Sequence, residues 1–336
     1  MKEKIGSRHG SPIGSPLGSP RSIPTPPHPE ERKEALPSQQ PKPAEEDSLA
    51  PESLRRIMQS ASYREADQDM DFLQAEATRG IRLQLDFLKT ESILEQLQVA
   101  HTVVVFGSAR IPEPQAALRA MESCAKALAA NPDDKILRRR LTTARNIAEN
   151  SRYYEMARKF GQIVGAAGEK TIGGRTMIMT GGGPGIMEAA NRGAHDVGAK
   201  SIGLNITLPR EQFPNPYVTP ELSFSFHYFA MRKLHFLLRA RALVAFPGGY
   251  GTLDELFEVL ALAQTRKMAP VPVILVGESY WRGVFNPEFL VEQGVIDPED
   301  RDLFWFSESA EDAWHDILHW YQIIGRPLLP PPERAL

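Results

Sequence analysis

A single cysteine, Cys124, stands in a chain of 336 residues. No intrachain disulfide is therefore possible, which suits a reducing compartment. Cys124 lies among Met121, Ala125 and Leu128 with no histidine close by in sequence, and it reads as packing. Long apolar runs are missing: none approaches the ~20 residues a membrane span needs, and the N-terminus lacks the apolar core of a secretory signal. An excess of one charge is missing as well. With 39 Lys+Arg against 42 Asp+Glu the net charge is −3, which makes no electrostatic case for nucleic acid or an anionic membrane as partner. The eight histidines show no ligand-type spacing, so neither a metal nor a cofactor is expected. A Walker loop is absent, since no Gly-Lys-Ser/Thr occurs. What these absences leave is a cytoplasmic globular protein, its 42% hydrophobic content sufficient for a sizeable core.

Four segments follow from composition. Residues 1–50 carry a Gly-Ser-Pro repeat between Gly10 and Pro20 and further prolines up to Pro51. Such a stretch buries too little apolar surface to offset its ordering entropy, and it is expected to be a disordered tail. Residues 51–98 have helical periodicity (Leu54, Ile57, Met58; Ile81, Leu85, Leu88) and read as a helical extension, with a break near Gly80. Residues 99–325 alternate strands and helices, and 326–336 form a proline-rich tail. Short apolar strands are expected at His101–Phe106, Thr176–Thr180, Lys200–Asn205, Leu243–Phe246 and Val271–Val276, with a last one at Phe304–Phe306. Helices are expected at Gln115–Ala130, Asp133–Gly165, Pro184–Val197, Phe229–Ala240, Thr252–Thr265 and Ser309–Ile323. That alternation predicts an α/β fold: a Rossmann-like, doubly wound parallel sheet with helices on both faces.

In such sheets ligands bind beyond the carboxyl ends of the strands, where strand order reverses. Three strand ends carry loops of one chemical kind: Gly107-Ser108, Gly181–Gly185 and Pro247–Thr252. Glycines let backbone N–H groups approach a ligand closely, and a helix starting there adds a favourable dipole for an anion. Gly181, Gly182 and Gly183 exceed what a tight turn requires, and Pro184 suits a first helical turn. The spacing is not the dinucleotide fingerprint, because that pattern would put glycine where Ile186 stands. In Pro247-Gly-Gly-Tyr-Gly-Thr-Leu-Asp-Glu255 the Thr252 hydroxyl and the loop amides are placed to grip a phosphate. A purely local reading competes there: Thr252-x-x-Glu255 is also a capping box, which explains those two residues but not the three glycines before them. Arg232-Lys233, on the preceding helix, reads by spacing alone as a solvated pair.

With these residues in view, the chain resembles the LOG family, long labelled "lysine decarboxylase-like". The resemblance rests on Phe106-Gly-Ser-Ala-Arg110, Gly181-Gly-Gly-Pro-Gly-Ile-Met-Glu-Ala189, Arg232-Lys233 and Pro247–Glu255, and covers roughly His101 to Ile323. It implies a phosphoribohydrolase that cleaves a nucleoside 5′-monophosphate, AMP or a cytokinin ribotide, into free base and ribose 5-phosphate. It also implies Arg232 and Glu255 as the catalytic pair and a phosphate loop of Gly248, Gly249, Gly251 and Thr252, with Gly181–Gly183 lining the same pocket. At least a homodimer is implied too, with sites near its interface. Short plant-type members carry Met-His where this chain has Phe229-Ala230, which leaves general nucleotide salvage as open as cytokinin activation. No recognisable Schiff-base lysine setting accompanies the old label, and a pyridoxal-phosphate decarboxylase is rejected. A non-catalytic nucleotide or phosphate-bearing cofactor carrier is the alternative.

Overall fold

The computed structural model describes residues 40–207 and 213–330. Most of the expected disordered tail (1–39) and the end of the proline-rich C-terminal tail (331–336) lie outside the described residues. The described residues divide into two compact units, one ending at Gln74 and one starting at Ala75. In the first, α1 (Ala50–Met58) starts with Pro51 in its opening turn and carries a Glu52–Arg55 pair at 2.7 Å. After a 3₁₀ turn over Ala61–Tyr63 comes α2 (Met70–Gln74), and no residue of these elements is buried.

In the second unit a 3₁₀ turn over Glu76–Thr78 leads into α3 (Arg79–Gln96), which runs through Gly80 without a break. Seven strands follow: β1 (His101–Phe106), β2 (Thr176–Thr180), β3 (Ser201–Ile206), β4 (Ser223–Phe226), β5 (Ala240–Ala245), β6 (Val273–Val276) and β7 (Trp305–Ser307). They form one sheet in the order β4-β3-β2-β1-β5-β6-β7, and every pairing is parallel. Successive strands step one way from β1 to β4, then resume on the other side of β1 with β5. Strand order thus reverses between β1 and β5, the place where a doubly wound sheet opens a crevice.

Strands covered on both sides read as near-continuous apolar runs, as in Val103–Phe106, all buried. Val103 and Val105 face α6 (Arg152–Gly168), α7 (Ile186–Asp196) and α12 (Ala310–Ile323). Val104 and Phe106 face α3, α8 (Phe229–Leu238), α9 (Tyr250–Gln264) and α10 (Glu278–Val284). Each fully buried valine or isoleucine of this sheet contributes roughly 1.5–3 kcal/mol. Outside these layers, α4 (Pro114–Ala130) pairs with α5 (Lys135–Asn150), while α11 (Pro287–Glu292) precedes β7.

Besides the unbroken α3 at Gly80 and the unanticipated α10 and α11, further elements differ from expectation. The helical stretch predicted over Asp133–Gly165 is two helices, broken at Ser151, whose hydroxyl bonds back to the Ala148 carbonyl at 2.6 Å. Pro184 lies outside α7, because Gly185 at φ 72° is its N-cap and the helix starts at Ile186. Strand β4 was not anticipated. Its Ser-Phe-Ser-Phe pattern alternates exposed and buried at the sheet edge, unlike the continuous runs inside.

Candidate active site

A cleft of about 680 Å³ opens at the carboxyl ends of β1, β2 and β5, at the order reversal. From the β1 end it receives Gly107 and Ser108, and from the β2 end Gly181. Gly248, Gly249, Gly251, Thr252 and Glu255 come from the β5–α9 turn, and Arg232 comes from α8. The three sequence-distant loops therefore meet around Arg232 and Glu255, with Arg110 and Asp254 also on the cleft wall.

Gly182 and Gly183, expected among the ligand-binding residues, do not line this cleft. Their polar groups are used within the protein. The Gly182 N–H donates to Thr180 Oγ1 at 3.0 Å, and the Gly182 carbonyl accepts the Asn215 N–H at 2.8 Å. The Gly183 carbonyl accepts Asn215 Nδ2 at 3.0 Å. Asn215, itself buried, also reaches Asn191, which bonds Thr180 and Ser201, so a polar network fixes the loop from behind. Gly182 sits at φ 71° against the Asn205 side chain, a conformation that favours glycine. Gly181 is glycine for a different reason: a Cβ there would meet Arg232 Nη2 at 2.5 Å.

The start of α9 offers hydrogen-bond donors of the kind an anion needs. Its N-cap is Gly249 and its first residue Tyr250, so Thr252 is the third helical residue and no side chain caps the helix. The capping box allowed by Thr252 and Glu255 is therefore not formed. The first backbone bond of the helix runs from the Leu253 N–H to the Gly249 carbonyl at 3.0 Å. Among the described residues, the N–H groups of Tyr250, Gly251 and Thr252 have no backbone acceptor. A Cβ on Gly249 or Gly251 would meet no protein atom within 4 Å, whereas one on Gly248 would overlap the Thr252 hydroxyl. Packing thus demands glycine at 248, while 249 and 251 leave the cleft wall open beside their backbone. The other helix start is less available, because the first N–H of α7, on Ile186, already donates to the Ser108 carbonyl at 3.1 Å.

Glu255 is 7% exposed on α9. Burial pushes its carboxyl up to about 7, opposed by the positive charges of Arg232 and Lys233. Its carboxylate accepts no hydrogen bond from the described residues, leaving its oxygens to the cleft. Arg232 donates from Nε to the Leu204 carbonyl at 2.8 Å and lies over the rings of Phe236 and Phe229. Burial lowers its pKa, and the Glu255 charge works against that. Lys233 is not the solvated half of a basic pair, since it bridges to Asp254 at 2.9 Å and Glu258 at 3.2 Å on α9. This clamp fixes α8 to α9 and so Arg232 to Glu255.

Sequence reasoning missed two contributors. Tyr280 on α10 lines the cleft and donates its hydroxyl to the Gly248 carbonyl at 2.6 Å, bracing the loop. Its position just beyond β6 was the available signal, but it lies in no glycine motif. Asn215 belongs to a segment without periodicity, and its contact with the glycine loop spans more than thirty residues.

Among the described residues no helix is long and apolar enough to cross a membrane, and no group of three or more His, Cys, Asp or Glu is placed to hold a metal ion. Among the described residues no lysine lines the cleft.

Residues 187–317 match the family described as "Possible lysine decarboxylase". A curated relative from Oryza sativa subsp. japonica, "Probable cytokinin riboside 5′-monophosphate phosphoribohydrolase LOGL5", is 31% identical over 165 residues, 48% of this chain and 63% of that protein. From Arabidopsis thaliana, "Cytokinin riboside 5′-monophosphate phosphoribohydrolase LOG3" is 28% identical over 139 residues, 40% of this chain and 63% of its own length. The chain thus spans about three-fifths of the length of these relatives. Among solved structures, the molybdenum cofactor binding protein of Rippkaea orientalis is similar at 24% identity and TM-score 0.35, covering 51% of this chain and 88% of that one. The family match and the curated relatives agree in supporting a LOG-family protein.

Proposed function

We propose that the chain hydrolyses the N-glycosidic bond of a nucleoside 5′-monophosphate, of the AMP or cytokinin ribotide type, to free base and ribose 5-phosphate. The observation that carries this reading is a buried carboxylate, Glu255, on the helix whose first residues, with backbone N–H groups lacking a backbone acceptor, line the same cleft. The 5′-phosphate takes the amides of Tyr250, Gly251 and Thr252 with the Thr252 hydroxyl, which leaves the ribose beside Glu255 and Arg232. The names of the relatives support the substrate class.

Cleavage of an N-ribosidic bond passes through a transition state with oxocarbenium character. Ionised Glu255 stabilises the positive charge that develops on the ribose and accepts a proton from the attacking water. The water oxygen bonds C1′, the C1′–N bond breaks, and its electron pair leaves with the base, which takes up a proton from solvent. Arg232, charged and held by Leu204, anchors the sugar phosphate and keeps Glu255 ionised.

Because the ionised form works and burial sets its pKa to about 7, kcat/KM for AMP should climb as pH rises through 7 and then level. Base release from a panel of nucleoside 5′-monophosphates, followed across pH 5 to 9, checks both substrate and titration. A protein that binds AMP yet releases no base at any pH would be a carrier rather than this hydrolase. The family resemblance and exposed aliphatics on neighbouring helices, Ile81, Leu85 and Leu88 on α3 and Leu234 and Leu238 on α8, support a homodimer or larger homo-oligomer. Light scattering is expected to give at least twice the 37.4 kDa of one chain, and a single-chain mass would end that reading.

A further inference from the structure

The helix that presents Arg232 is poorly equipped to start by itself. Its N-cap is Tyr228, which makes no side-chain cap bond, and its first turn contains no acidic residue. Two cations, Arg232 and Lys233, sit within four or five residues of its positive end, where a cation is disfavoured.

The missing acceptor comes from α3. Asp86 Oδ2 accepts the N–H groups of both His227 and Tyr228, each at 2.9 Å. The Tyr228 carbonyl in turn accepts the backbone N–H of Arg232 at 3.3 Å. A single residue therefore separates the Asp86 carboxylate from the cleft arginine. Neighbouring positions on α3 grip α8 along its length. Arg82 Nε donates to the Tyr228 hydroxyl at 3.1 Å, and Phe87 stacks on the buried His235 with centroids 5.1 Å apart. Glu91 takes both terminal nitrogens of Arg239 at the C-cap, one at 2.8 Å. All of these contacts originate before residue 187, where the family match begins.

We propose that Asp86 is a positioning residue: from α3 it caps α8 and holds Arg232 at the cleft. The inference rests on the hydrolase reading for its kinetic consequence, but the cap itself has an independent readout. Loss of the acceptor lets the first turn of α8 fray, so that Arg232 spends less time opposite Glu255. Burial then raises the Glu255 pKa with less opposition.

The test compares Asp86→Ala and Asp86→Asn with the parent, in full-length protein. Asp86→Ala is expected to lower kcat for AMP about tenfold, in line with loss of a helix cap. KM should change less, because the α9 amides are untouched, and the rise in rate with pH should move to higher pH. Asparagine retains an acceptor oxygen and should recover most of the rate. Amide hydrogen exchange should quicken over residues 227–233 in Asp86→Ala while β1 and β5 keep parental protection. Parental kcat and pH profile in a folded Asp86→Ala protein would overturn the proposal, whatever its exchange. Faster exchange spread evenly over β1 and β5, or an asparagine variant as impaired as alanine, would overturn it too. A parent that releases no base would remove the hydrolase reading and leave the cap to be judged by exchange alone.

Discussion

Glu255→Gln is expected to lower turnover of AMP by about 10²–10⁴, the usual range for a positioned acid or base, and at the same time to make the protein more stable above pH 7. The two effects have one cause. Glutamine keeps the shape of the side chain but can neither stabilise a ribosyl cation nor accept a proton from water. The folded protein, on the other hand, tolerates an ionised carboxylate poorly at this position. In the unfolded chain Glu255 ionises above its ordinary value of 4.5, and in the folded chain only above about 7. Between those values the unfolded state binds fewer protons, so stability falls as pH rises through this window and the loss is complete above 7. A neutral isostere avoids that loss, a gain on the order of 1–3 kcal/mol at pH 8. No helix cap is lost in the exchange, since α9 makes no capping box. Turnover, AMP affinity and thermal melts at pH 5 and pH 8 check the prediction. A variant that binds AMP and turns it over at near-parental rate would leave the mechanism without its base.

Much of this arrangement was legible from residues because its parts are local. Short apolar strands ending in glycine loops identify β1, β2 and β5, and parallel alternation alone places their carboxyl ends on one side. Other features depend on where the chain turns in space. The Thr252-x-x-Glu255 pattern fits a capping box equally well, and only the start of α9 at Tyr250 removes that reading. Gly181, Gly182 and Gly183 look equivalent in sequence, yet the first faces Arg232 and the next two are bonded by Thr180 and Asn215. Asp86 carries no signal in its own surroundings. It is one carboxylate on an ordinary helical stretch, and its role appears only when a helix start 141 residues away lies against it. Edge strand β4 escaped notice because half of its side chains face outward.

Removing the 5′-phosphate should be as damaging as removing Glu255. Adenosine is expected to be cleaved with kcat/KM at least ~10³-fold below that of AMP, because in the proposed reading the site's anchoring groups hold the phosphate. Among the described residues three amides of α9 lack a backbone acceptor, and a hydrogen bond from such a donor to a charged group contributes about 1.5–3 kcal/mol. Two such bonds already amount to a factor of roughly 10²–10⁴, and the dipole of a fifteen-residue helix adds to them. In the proposed reaction the bond that breaks lies elsewhere, beside Glu255 and Arg232, so this binding energy would act by holding C1′ in place. Adenosine should therefore lose kcat as well as affinity. Ribose 5-phosphate should compete with AMP far better than ribose does. The measurement is base release from AMP and adenosine at matched concentrations, with both sugars tested as inhibitors. Equal turnover of the two substrates would mean that the bare amides of Tyr250, Gly251 and Thr252 do not hold the phosphate, and that the ribose is positioned by some other contact in the cleft.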